Sequence, residues 1–202
     1  MRLFVAIAMP EDVTARLSAV MGGLDGARWV DPDDLHLTLR FVGEVGRDAA
    51  EDLAAALSSL RAPAFPLRLT GFGHFGSGRR VRALWAGVEP QPALTLLQGR
   101  VEAAARRAGQ PAETRKFVPH VTLARMAGAV PADAVAHWTA LRGPFAAGPF
   151  EVREAVLFES FLGRDGPHYE RRLAVPLERL PDADDWEGDD WEEGVWEEGE
   201  CF

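Results

Sequence analysis

The residues in this chain best suited to chemistry come in two matching sets. His36-Leu37-Thr38-Leu39 opens the run HLTLRFVGE at 36–44, and His120-Val121-Thr122-Leu123 opens HVTLARM at 120–126. In an extended strand, side chains alternate between faces with period two. His36 and Thr38 therefore share one face, with Leu37 and Leu39 on the other; His120 and Thr122 stand in the same relation to Val121 and Leu123. Two imidazoles and two hydroxyls on rigid strands suit reaction at a phosphate. One His serves as base and one as acid, while the Thr hydroxyls donate to anionic oxygens. The rival reading is two ordinary strands whose His and Thr decorate a solvated face. Two His on separate strands, without Asp, Glu or Cys at ligand spacing nearby, make a poor zinc site, so neither metal nor cofactor is expected.

Positioning these sets requires elements whose order can be read along the chain. Residues 2–8 read as a strand, and a helix follows from Glu11 to about Met21, stopped by Gly22-Gly23. Arg28, Trp29 and Val30 lead through a turn at 31–34 into the first motif strand, 36–44. Asp48 to Leu60 is Ala- and Leu-rich and reads as helix. Strands at 65–72 and 80–88 are joined by GHFGSGRR, whose glycines suggest a flexible hairpin connection carrying His74 as a turn or rim residue. Pro92 to Ala108 reads as helix and 117–126 as the second motif strand, with Pro119 implying a strand start or a sheet edge. A short helix at 132–141 holds His137 and Trp138, read as surface and packing residues. Strands at 150–161 and 169–177 flank a turn at Arg164-Asp165-Gly166. The order β-α-β-α-β-β-α-β-α-β-β, without strict βαβ repeats, is α+β. The two motif strands follow comparable helix-led units, as a fused or duplicated unit would: two antiparallel sheets facing a central cleft, one His-x-Thr from each.

Composition narrows the setting. The 202 residues are 47% hydrophobic, enough for a substantial core. Cys201 is the single cysteine, so no disulfide framework forms within one chain, which fits a reducing cytoplasm. The apolar start is short and ends at Pro10-Glu11-Asp12, unlike a signal peptide, and no segment reaches membrane-spanning length. The net charge of −9 hides an asymmetry: of 31 acids, eleven fall in 182–202, where there is no Lys or Arg. The body, 1–181, keeps 20 acids against 22 basic residues, nearly all Arg, a balance that admits an anionic substrate. Trp186, Trp191 and Trp196 recur in the acidic tail at a spacing that builds no helical or strand face. The tail reads as a flexible solubilising segment; a self-masking or partner-binding role is the alternative.

With these motifs the chain resembles the two-histidine (2H) phosphoesterase superfamily, and within it the RNA 2′,3′-cyclic phosphodiesterases once described as 2′-5′ RNA ligases. The resemblance covers roughly 1–180: the opening RLFVAIAMP, the block Trp29 to Glu44, Arg82-Ala83-Leu84-Trp85, FVPHVTLAR, and the segment from Glu159-Ser160 to Tyr169. It implies a bilobal pseudo-two-fold fold with helices outside. It also implies metal-independent hydrolysis of RNA 2′,3′-cyclic phosphate ends, as on tRNA fragments, to 2′-phosphates, with RNA 2′-5′ ligation as a side activity. By that similarity His36 is the proton donor and His120 the acceptor, with Thr38 and Thr122 on the phosphate. A monomer in the cytoplasm is expected.

Three further residues enter as substrate contacts. Arg40 is in phase with His36 and Thr38, so it reaches either the phosphate or solvent. Arg125 matches the arginine that closes the family's second motif and meets the nucleotide there. Strict alternation puts it on the face opposite His120, so either the strand bulges near Ala124 or the residue acts from the strand end. Phe41 is a candidate for stacking a base, against the alternative of core packing. Arg79, Arg80 and Arg82 are set between a nucleic-acid backbone and a solvated edge. The alternatives for function are a phosphodiesterase for small cyclic nucleotides or 2′-5′ oligonucleotides, and a non-catalytic RNA-binding module.

Overall fold

In the computed structural model, residues 1–77, 80–163 and 167–178 are described; the acidic tail, Arg79 and the turn at 164–166 lie outside them. β1 (Arg2–Ala8) has five buried residues in a row and enters the middle of a sheet. α1 (Glu11–Ser18) starts after Pro10 with Glu11 and Asp12 in its first turn, where acids suit the helix dipole, and buries Val13 and Leu17. It ends three residues before the expected Met21, where Val20 and Met21 turn back by donating to the Leu17 carbonyl. β2 (Ala27–Trp29) is followed by a 3-10 turn at Pro32–Asp34, in which Asp31 accepts from the Asp33 amide at 3.1 Å. Then come β3 (His36–Glu44), α2 (Arg47–Ser58), β4 (Phe65–Ser77), β5 (Arg80–Val88), α3 (Pro92–Arg107), β6 (His120–Val130), α4 (Ala132–Arg142), β7 (Ala146–Val152), β8 (Glu154–Leu162) and β9 (Pro167–Pro176).

The strands form a 9-stranded sheet in the order β7-β4-β5-β6-β3-β1-β8-β9, with β2 added to β6. Every pairing between these strands is antiparallel. The two motif strands are neighbours at the middle of the order, with β3, β1, β8 and β9 in one half and β6, β5, β4 and β7 in the other. The two sheets expected from the repeated motif are thus two halves, joined at β3 and β6 by the pair Leu37–Val121. Leu3, Val5 and Ile7 of β1 join the main core with Leu53 and Leu57 of α2 and Leu94, Leu97 and Val101 of α3. Phe4 and Ala6 point the other way and build a small second cluster with Val156 and Phe158. One face of the sheet carries helices; the other carries the motif side chains.

Two expectations are corrected. GHFGSG is mostly strand: β4 runs through Ser77, and His74, paired opposite Leu84, is an exposed strand residue rather than a turn residue. Glycine suppressed the strand signal, yet the bare Cα of Gly73 is what lets Trp85 lie across β4, since a Cβ there would sit 2.2 Å from the indole. The segment 150–161 is not one strand but two, parting at Arg153, where neither Gly nor Pro marks the break. Of the two readings of Pro119, the strand start is the one found: it stands just before the first residue of β6, where a missing N–H breaks no ladder, and β6 itself is central.

Candidate active site

Both motif strands bulge at the same place. Pairing of β1 with β3 steps from Ala6–Thr38 to Val5–Arg40, leaving Leu39 extra. Pairing of β5 with β6 steps from Trp85–Thr122 to Leu84–Ala124, leaving Leu123 extra. A bulge resets the alternation of faces. Leu39 and Arg40 are consequently both buried, as are Leu123 and Ala124, and the next residues, Phe41 and Arg125, turn onto the histidine face. Of the two routes open to Arg125, the bulge is the one found.

The same bulge removes Arg40 from the phosphate side. Arg40 is 7% exposed, its Nε 2.7 Å from Glu102 of α3, and its guanidinium donates to the carbonyls of Phe41 and Pro111, each at 2.6 Å. It is a core ion pair tying β3 to the helix layer, and strict alternation failed to foresee it. Phe41, by contrast, is 39% exposed, with the Arg2 guanidinium over its ring at 5.4 Å, and does not pack in the core.

Leu37 and Val121 pair directly, and each lies between the His and Thr of its own motif. In antiparallel register this sets His36 beside Thr122 and Thr38 beside His120, so the imidazoles occupy opposite corners of a small polar square. Small residues oppose the rings on the outer strands, Ala8 against His36 and Gly87 against His120.

Both rings are held alike. His36 Nδ1 is 2.6 Å from the Asp34 carbonyl and His120 Nδ1 is 2.6 Å from the Val118 carbonyl. A carbonyl only accepts, so Nδ1 carries the proton and Nε2 is the free nitrogen of the neutral ring. Aromatic rings brace each imidazole: Phe4 (4.8 Å), Tyr169 (5.2 Å) and Phe158 (6.3 Å) around His36, and Phe75 (4.8 Å) and Trp85 (6.1 Å) around His120. Burial among these groups pushes both imidazoles below their ordinary pKa, and the nearby Arg125 charge pushes both further. The His120 charge also registers at His36. One guanidinium therefore acts on both rings.

The sequence missed the aromatic braces, although Phe4 and Ala6 alternate with Leu3, Val5 and Ile7 in β1, and that alternation was a usable signal. It also missed Asp34 and Tyr169, which sit beside His36 with their pKa values raised, chiefly by burial. A cavity of about 180 Å³ adjoins His36, lined by Asp34, Phe158, Tyr169 and Arg171 among others. A larger one, about 590 Å³, lies away from the motifs beside α4. There His137 is exposed and Trp138 is buried, donating to the Gly22 carbonyl at 2.7 Å, as their surface and packing assignments required. Arg80 and Arg82 are exposed. Among the described residues, no group of three or more His, Cys, Asp or Glu is gathered to hold a metal ion, and no helix is long and apolar enough to cross a membrane.

Comparison with known proteins points to one family. The family described as LigT like phosphoesterase matches at residues 7–85 and 87–169, one match for each motif. An RNA 2′,3′-cyclic phosphodiesterase of Geobacillus stearothermophilus is 32% identical over 193 residues, covering 92% of this chain and 60% of that protein. The chain thus spans about three fifths of that relative's length. The Archaeoglobus fulgidus protein of the same name is 30% identical over 175 residues, covering 84% of this chain and 97% of its own. The crystal structure of Escherichia coli LigT complexed with 3′-AMP superposes with a TM-score of 0.70 at 28% identity, covering 87% of this chain and 97% of that one.

Proposed function

The chain belongs to the LigT-like phosphoesterase family, and from that membership we propose that it hydrolyses RNA 2′,3′-cyclic phosphate ends to 2′-phosphates by two-histidine acid–base catalysis. The observation that carries the reading is the seam pair Leu37–Val121, which sets the two imidazoles at opposite corners of one polar square. In-line displacement at phosphorus needs a base and an acid on opposite sides, and this arrangement supplies them.

With the cyclic phosphate between the motifs, His120 Nε2 takes a proton from the attacking water as the new O–P bond forms. His36, which enters the step doubly protonated, gives its Nε2 proton to the 3′ oxygen as the P–O3′ bond breaks. The hydroxyls of Thr38 and Thr122 donate to the non-bridging oxygens, and Arg125 balances the charge that gathers on them. Phe41 presents an exposed ring for the terminal base to stack on. The protons and charges needed come from these side chains, so the proposed reaction calls for no metal. A 5′-hydroxyl in place of water would give a 2′-5′ linkage by the same two proton transfers.

The double variant His36→Ala/His120→Ala tests the reading. Turnover should be lost while binding of 2′-phosphate-ended RNA stays within a few fold. Parent-like hydrolysis by that variant would end the catalytic account.

A further inference from the structure

Arg28 of β2 stands directly opposite Arg125 of β6, in a register that also pairs Ala27 with Met126 and Trp29 with Ala124. Directly opposed residues of an antiparallel pair point to the same face, with Cβ atoms about 4.5–5.5 Å apart. The flanking pairs settle which face this is. Trp29, Ala124, Ala27 and Met126 all belong to or pack against the main core, so Arg28 and Arg125 both turn outward, onto the side that carries His120 and Thr122.

Among the described residues, nothing uses this second guanidinium. Both arginines are exposed, and neither takes part in an ion pair or a side-chain hydrogen bond among the described residues. Other arginines are engaged: Arg142 donates to the Val20 and Gly22 carbonyls, and Arg172 pairs with Glu159. Like charges directly opposed weaken a sheet, so the pair is a cost to the fold that an anionic ligand would remove. The other edge of β2 has no strand against it among the described residues, which leaves the pair open from outside.

The ligand's chemistry follows from the spacing. Arg125 lies on the motif strand itself, and its charge registers at both imidazoles; Arg28, on the flank of β6 that β3 also occupies, registers at neither. A guanidinium fork matches phosphate oxygens in a bidentate manner. Arg125 is thus the guanidinium that serves a cyclic phosphate held at the motifs, and the fork of Arg28 is left for a further phosphate on the same molecule. We propose that Arg28 binds the phosphodiester that joins the terminal nucleotide to the rest of an RNA strand, making the site selective for polynucleotide ends over cyclic mononucleotides. The inference rests on the cyclic phosphodiesterase reading above.

The test compares kcat/KM for a 2′,3′-cyclic mononucleotide with that for a short RNA ending in 2′,3′-cyclic phosphate, at about 50 and about 200 mM salt. The parent prefers the RNA. Arg28→Ala lowers the ratio of RNA to mononucleotide kcat/KM by about 10- to 100-fold, the range of a charge-assisted hydrogen bond. Arg28→Lys, which keeps the charge but not the fork, lowers it less. The log–log salt dependence for RNA becomes shallower by about 0.7–1, as for the loss of one phosphate contact. Thermal stability of Arg28→Ala equals or exceeds the parent's, because one of two opposed cations is gone. A parent without preference for RNA overturns the proposal. So does an Arg28→Ala ratio equal to the parent's, whether both rates fall together or neither does. A folded parent inactive on both substrates overturns the cyclic phosphodiesterase reading itself, and this inference with it.

Discussion

Leu37 lies directly opposite Val121, and this pair joins the two halves of the sheet. Each residue is the apolar member between a catalytic-type His and a Thr, so one backbone register positions all four polar side chains at once. Shifting that register by one residue would turn one motif into the core. The buried Leu37 and Val121 side chains, both 0% exposed, are what hold it.

The pH dependence of kcat/KM reports the free enzyme's acid and base. Burial and the Arg125 charge lower both imidazoles, so activity should fall with rising pH through a midpoint below about 6.5, the ordinary histidine value. Arg125→Gln removes a positive charge that disfavours protonation of both rings. Its alkaline limb should therefore move to higher pH, whatever happens to the amplitude. A limb that stays in place would show that Arg125 does not face the histidines.

Arg40 and Arg125 should separate stability from turnover. Arg40→Ala leaves Glu102 beside the core without its cation, at a cost of about 3 kcal/mol, the low end for buried pairs because Glu102 keeps some solvent contact. Arg125→Ala changes stability by no more than about 0.5 kcal/mol, as exposed substitutions do, while lowering kcat/KM by about 100-fold or more. Denaturant unfolding and steady-state kinetics on both variants check the contrast.

Gly73→Ala probes the aromatic support of His120. The new Cβ would stand 2.2 Å from the Trp85 ring, which packs against Phe75 and, more distantly, His120. Overpacking of this kind costs about 1–3 kcal/mol, and displacement of the indole should reduce kcat as well. Unchanged melting and unchanged kcat together would mean that the indole does not lie across β4.

Folded His36 and His120 bind protons less readily than they do in the unfolded chain. Near pH 6 the unfolded state thus holds more protons on these rings, so stability should rise with pH through the window just below about 6.5. In His36→Gln that dependence should weaken. A slope as steep as the parent's would assign it to other groups.

Local pattern made most of the site legible. His36, Thr38, His120 and Thr122 are fixed by period-two alternation, which holds as far as the Thr in both strands. Alternation then fails one residue later, at Leu39 and Leu123, because a bulge depends on the partner strand's register and leaves no mark on a single strand's composition. This is why alternation offers Arg40 only the phosphate or solvent while it is found against Glu102, and why it leaves Arg125 as a choice between two geometries. The extension of β4 was obscured by its glycines, of which Gly73 makes room for Trp85, a matter of tertiary packing. Arg28 carried no signal at all until pairing of β2 with β6 set it beside Arg125.

The most direct test of the central claim is to incubate the protein, with EDTA in excess, with a short RNA ending in 2′,3′-cyclic phosphate and to identify the product by mass and phosphate position. The account predicts an RNA ending in 2′-phosphate, formed at the same rate with and without the chelator and not formed by the His36→Ala/His120→Ala variant. Hydrolysis that stops in EDTA and returns with a divalent cation, or that survives loss of both histidines, would contradict it.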